Sequence, residues 1–60
     1  MSIVGIYDIT GDRLDVAEDG RGNVVLTLEP HVDMVILTPE VARYLAEVLL
    51  RCAETGKVTP

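Results

Sequence analysis

His31 is the only histidine in the chain, and Asp33 follows it by two positions. A carboxylate so near could orient an imidazole as a general base, but that chemistry also needs a serine or cysteine nucleophile, and none is placed beside the pair. A histidine that follows Pro30 between two apolar runs reads as a solvated turn residue. Cys52 is the only cysteine. A reactive thiol needs exposure and a cationic neighbourhood, whereas Cys52 falls in line with Val41, Leu45 and Val48 and reads as a small apolar residue. Asp8, Asp12, Asp15, Glu18 and Asp19 crowd the first third of the chain. Oxygen-rich clusters suit Ca²⁺, but the EF-hand spacing is absent, so no metal is expected. Asp19-Gly20-Arg21-Gly22-Asn23 carries two glycines without the strand–GxxxxGK–helix setting of a phosphate loop. With no nucleophile–base–orienter set, the expectation is a chain that is not an enzyme, with no catalytic residue and no cofactor.

These residues have to be held by few elements. Leu37 to Gly56 predicts one amphipathic helix. Thr38 can accept from the free N–H groups of the first turn, and Pro39 suits the first helical position. Glu40 opposes the positive end of the dipole, and Gly56 can take the left-handed closing conformation. Val41, Leu45, Val48 and Cys52 form an apolar stripe, flanked by Tyr44 and Leu49. Ala42, Ala46, Leu50 and Ala53 carry the apolar arc past half the circumference, leaving Glu40, Arg43, Glu47, Arg51 and Glu54 as a wet face of alternating sign. A helix on one sheet buries one stripe, so this one is expected to have a second neighbour from another copy.

Upstream, Ser2 to Thr10 predicts a strand with apolar residues on both faces, and Thr10-Gly11-Asp12 has turn composition. Arg13 to Glu18 alternates, with Leu14 and Val16 inward and Asp15 outward. Asp19 to Asn23 is the clearest hairpin signal. Val24 to Glu29 and Val32 to Leu37 complete the set, separated by Pro30-His31. The fold class expected is α+β: an antiparallel sheet of three to four strands in the order β-β-β-β-α, its single C-terminal helix packed on one face. Residues 1–60 form one small domain, with no internal repeat and a loose tail at Val58-Thr59-Pro60.

Composition pushes in the same direction. Hydrophobic residues are 48% of the 60, without any Phe or Trp to bury large areas singly. One cysteine excludes an intrachain disulfide. A chain this small buries only about 60% of its unfolded surface, and the gain is close to the entropy of ordering it. Oligomerisation is the remaining way to hide the apolar surplus. The net charge of −5 repels phosphate backbones and leaves a basic protein partner open. No segment approaches a membrane span and the start lacks signal-peptide character, so a cytoplasmic location is expected.

Leu37, Thr38, Pro39, Glu40, Ala42, Leu45, Ala46 and Leu49 make an L-T-P-E-x-A-x-x-L-A-x-x-L pattern over about a third of the chain. It resembles the closing helix of short uncharacterised proteins of actinobacteria and their phages. The resemblance implies a small accessory protein, phage-encoded and acting on a host protein, and it supplies no catalytic residues. The reading is a homo-oligomeric protein-interaction module, a dimer, with Met34, Ile36, Ala46, Leu49, Leu50 and Ala53 at the subunit interface. Asp15, Glu18, Asp19 and Arg21 form the expected contact surface for an unidentified protein partner. The alternative is a small dimeric regulator that binds nucleic acid, opposed by the acidic balance and by the glutamates that interleave Arg43 and Arg51.

Overall fold

Each strand is a short β-branched and leucine-rich run, and each run ends where a loop residue can take over its hydrogen bonding. In the computed structural model, which describes residues 2–58, these runs are β1 (Ile3–Tyr7), β2 (Arg13–Glu18), β3 (Val24–Glu29) and β4 (Asp33–Leu37), followed by helix α1 (Pro39–Thr55). The strands form one antiparallel meander in sequence order. β2 and β3 have the expected bounds, and α1 lies within the expected Leu37–Gly56 stretch, starting at Pro39 after its Thr38 cap and ending before Gly56. β1 and β4 are shorter, because Asp8 to Thr10 and Val32 are spent on turns. Of the expected tail Val58-Thr59-Pro60, Val58 is exposed, and Thr59 and Pro60 lie outside the described residues.

The first two connections are built alike. In the loop 8–12, the Asp8 Oδ1 accepts from Thr10 N at 2.8 Å and Asp12 N at 3.0 Å, while Asp8 N donates to Asp12 O. In the loop 19–23, the Asp19 Oδ1 accepts from Arg21 N at 2.7 Å and Asn23 N at 3.2 Å, while Asp19 N donates to Asn23 O. Gly11 and Gly22 occupy the same loop position with positive φ. The aspartate closes the turn on its own backbone, as Asx residues do. The same device recurs eleven residues on, a local repeat that residue types alone did not disclose. The third connection is tighter, with Asp33 N donating to His31 O at 2.8 Å.

Register decides the faces. Val4 pairs with Val16, Val16 with Leu26, and Leu26 with Val35. Ile6, Leu14 and Leu28 form the next row on the same side. This face is apolar from edge to edge, with Glu18 and Asp33 at its two ends. The opposite face is mixed. Ile3, Ala17, Val25 and Ile36 cross one end, and Tyr7, Arg13 and Glu29 cross the other.

The helix forms as expected and packs otherwise. Val41 N donates to Thr38 Oγ1 at 3.3 Å, and Gly56, at φ 74°, donates its N–H to Cys52 O at 2.7 Å. That φ suits a residue without Cβ. The helix meets the sheet substantially only along β4. Leu45, Val48 and Cys52 are half-buried, Val41 is exposed, and no helix residue is buried. The expectation that α1 covers one face of the sheet is therefore corrected: both sheet faces stand open. A single residue, Thr38, separates β4 from α1, whereas βα connections that fold a helix back usually take about two to six residues.

Candidate functional site

Among the described residues none is buried, apolar or polar. The chain exposes 4937 Å², about 1,100 Å² more than the roughly 3,800 Å² expected for a folded monomer of its mass. Its radius of gyration is 12.5 Å, against about 10.4 Å for a compact chain of this length. Exposed apolar side chains stand on both sheet faces and on the helix: Val4 59% and Ile6 52% on the apolar face, Ile3 65% and Met34 61% on the mixed face, Leu49 60% and Leu50 62% on α1. The contiguous apolar sheet face and the apolar side of α1 are the candidate site.

The expected interface residues are all exposed but do not form one patch. Ala46, Leu49, Leu50 and Ala53 share one side of α1. Met34 and Ile36 lie on the mixed face of the sheet, in register with Thr27 and Val25. The larger apolar surface is the opposite face, built around Val16 and Leu26. The alternation in each strand carried that signal, but only the register shows that four such strands present their apolar sides together.

The expected partner-contact residues are dispersed. Asp15 lies on the mixed face, where Arg13 Nε stands 2.8 Å from its Oδ1 and Arg13 Nη2 donates to its Oδ2 at 3.1 Å. The Arg13 side chain crosses Gly5 so closely that a Cβ there would sit 3.1 Å from its Cδ. The Tyr7 hydroxyl, and after it the Asp15 carboxylate, raise the guanidinium pKa above its ordinary value. Glu18 is on the apolar face, opposite in direction to Asp15. Asp19 and Arg21 do come together at the loop 19–23, but both Asp19 oxygens are engaged, Oδ2 accepting from Asn23 Nδ2 at 2.9 Å. The Arg21 N–H, with help from Asn23, holds the Asp19 carboxyl below the usual carboxylate range.

A comparison with family models, curated proteins and solved structures finds no match to this chain.

A concave feature continues the apolar face at the end carrying loops 8–12 and 30–32. It is an open hollow of about 510 Å³, in which Leu14, Leu28 and Pro30 meet Asp8, Asp12, Arg13, Glu29, His31 and Asp33. Asp8 Oδ1 is saturated by Thr10 Oγ1 at 2.7 Å and by two backbone N–H groups. The Thr10 contacts hold its carboxyl below the usual range. His31 and Asp33 both line the hollow, without a Ser, Thr or Cys among the lining residues. Among the described residues no group of His, Cys, Asp or Glu has the arrangement of a metal site, and no helix is long and apolar enough to cross a membrane. What the arrangement offers is apolar area with an acidic margin, which is suited to association.

Proposed function

We propose that the chain is a non-enzymatic subunit that acts as a homo-oligomer, a dimer, and that the assembled molecule is a protein-interaction module. One observation carries this reading: an edge-to-edge apolar sheet face and an apolar helix side are both left open in the single chain. The surplus of about 1,100 Å² per chain exceeds the roughly 800 Å² per partner of a standard interface. Isolated exposed leucines would need no explanation, but a contiguous apolar face of this kind marks an association site. The chain carries ten acidic residues against five basic ones, a net charge of −5. Such a balance favours a basic protein partner over nucleic acid.

Sedimentation equilibrium at micromolar concentration tests the first step. The expected mass is twice the 6.5 kDa of one chain, and a single-chain mass overturns the reading. Leu49→Asp, at an exposed position of α1, is expected to shift the population to single chains and to lower stability with it. A stable dimer carrying that change would remove α1 from the interface.

A further inference from the structure

We propose that the second copy completes the fold by exchange: the helix of each chain lies across the apolar sheet face of the other. This rests on the homo-oligomer reading above and specifies how its two open surfaces are used. The two surfaces are complementary in kind. One is a β-sheet face of Val4, Ile6, Leu14, Val16, Leu26 and Leu28. The other is a helix side on which Val41 and Leu49 stand exposed and Leu45, Val48 and Cys52 are only half-buried within their own chain. A helix laid on a sheet is the usual way to bury both.

The joint prevents that pairing within one chain. Only Thr38 lies between β4 and α1, and Pro39 confines it to extended geometry, as its φ of −65° and ψ of 160° show. Its side chain and carbonyl are both committed to the first helical turn, through Val41 N at 3.3 Å and Ala42 N at 2.9 Å. The helix meets the sheet substantially only along β4, and Val4, Ile6, Leu28 and Val35 of the apolar face stay more than half exposed. A connection too short and stiff to fold back is the circumstance in which an element is exchanged between protomers. The area agrees: the surplus of about 1,100 Å² per chain is what a stable dimer removes from each partner.

Lengthening the joint tests the exchange directly. Four residues, Gly-Ser-Gly-Ser, inserted between Leu37 and Thr38 keep the helix cap and free the helix to return to its own sheet. The unaltered chain is expected to sediment as a dimer, and the lengthened chain as a folded single subunit whose unfolding midpoint ignores concentration. If the lengthened chain remains a dimer, the exchange is wrong while the homo-oligomer reading stands. If the unaltered chain is a single subunit, both fall.

A second measurement covers the case in which the lengthened chain does not fold. Chains bearing the natural Cys52 are mixed with chains carrying Cys52→Ser and Leu26→Cys, and a short bismaleimide is added. Exchange places the helix thiol of one chain over the sheet thiol of the other, so the covalent dimer is expected from the mixture and not from either chain alone. Joining of Leu26→Cys chains to one another would indicate sheet against sheet. Joining of Cys52 chains would indicate helix against helix. Either result, or no covalent dimer from the mixture, overturns the exchange.

Discussion

Asp8 and Asp19 show how a residue's type can be legible while its task is not. Both belong to a run of carboxylates that suggests a metal or a basic partner, yet each is consumed by the backbone of its own loop. What decides the matter is the direction of the N–H groups two and four residues on, which depends on a loop conformation that composition does not specify. The consequence is a pH dependence of stability. Both carboxyls have folded pKa values below the ordinary 3.8, so folding favours their ionised forms. The stability they contribute is fully present above the unfolded value and is lost as pH falls through the lower, folded values. Denaturation midpoints are therefore expected to hold from neutral pH to about pH 5 and to drop on going to about pH 3. Asp19→Ala should lower the midpoint at neutral pH and flatten that acid limb, because one of the two responsible groups is gone. An unchanged acid limb in Asp19→Ala would show that the loop carboxylate is not coupled to folding. The Arg13–Asp15 pair is a different case: it is half-buried but links two residues of one strand and joins no separate elements, so its removal should matter less to folding.

At the scale of elements, local signals and long-range ones parted company. The start and stop of α1 were readable because Thr38, Pro39 and Gly56 act on their own neighbours. Thr38→Ala removes the bond to Val41 N and is expected to cost about 1 kcal/mol. Gly56→Ala forces a Cβ into φ 74° and is expected to cost about 1–2 kcal/mol. Chemical denaturation of both variants checks this pair, and a neutral Gly56→Ala would mean that the helix end relaxes without loss. The four strands were readable for the same local reason, down to the bounds of β2 and β3. Where the helix would lie was not, because periodicity shows how wide an apolar arc is and says nothing of what fills it. The informative signal was the brevity of the Leu37-Thr38-Pro39 junction. It looks like a good helix start, and its second meaning, a stiff hinge, emerges only when the distance back to the sheet is considered.

At the scale of the whole molecule, the surplus of surface has a thermodynamic signature that does not depend on how the copies are arranged. A chain that left 4937 Å² exposed and buried no residue would gain little from folding against the entropy of ordering its backbone. If a second copy supplies the missing burial, folding and association become one equilibrium, and the unfolding midpoint must rise with protein concentration. Each tenfold dilution of a dimer that unfolds directly to two chains removes about 1.4 kcal/mol. Urea denaturation at a hundredfold range of concentration should therefore move the midpoint progressively, with the slope of the transition unchanged. Val16→Asp, at the centre of the apolar sheet face and in register with Val4 and Leu26, places a charge where the proposed second copy would sit. It is expected to abolish the concentration dependence by abolishing the dimer, and to leave a largely unfolded chain. A midpoint that is independent of concentration in the unaltered protein would mean that the strands and helix stand alone with their leucines in water, and the case for association would have no foundation.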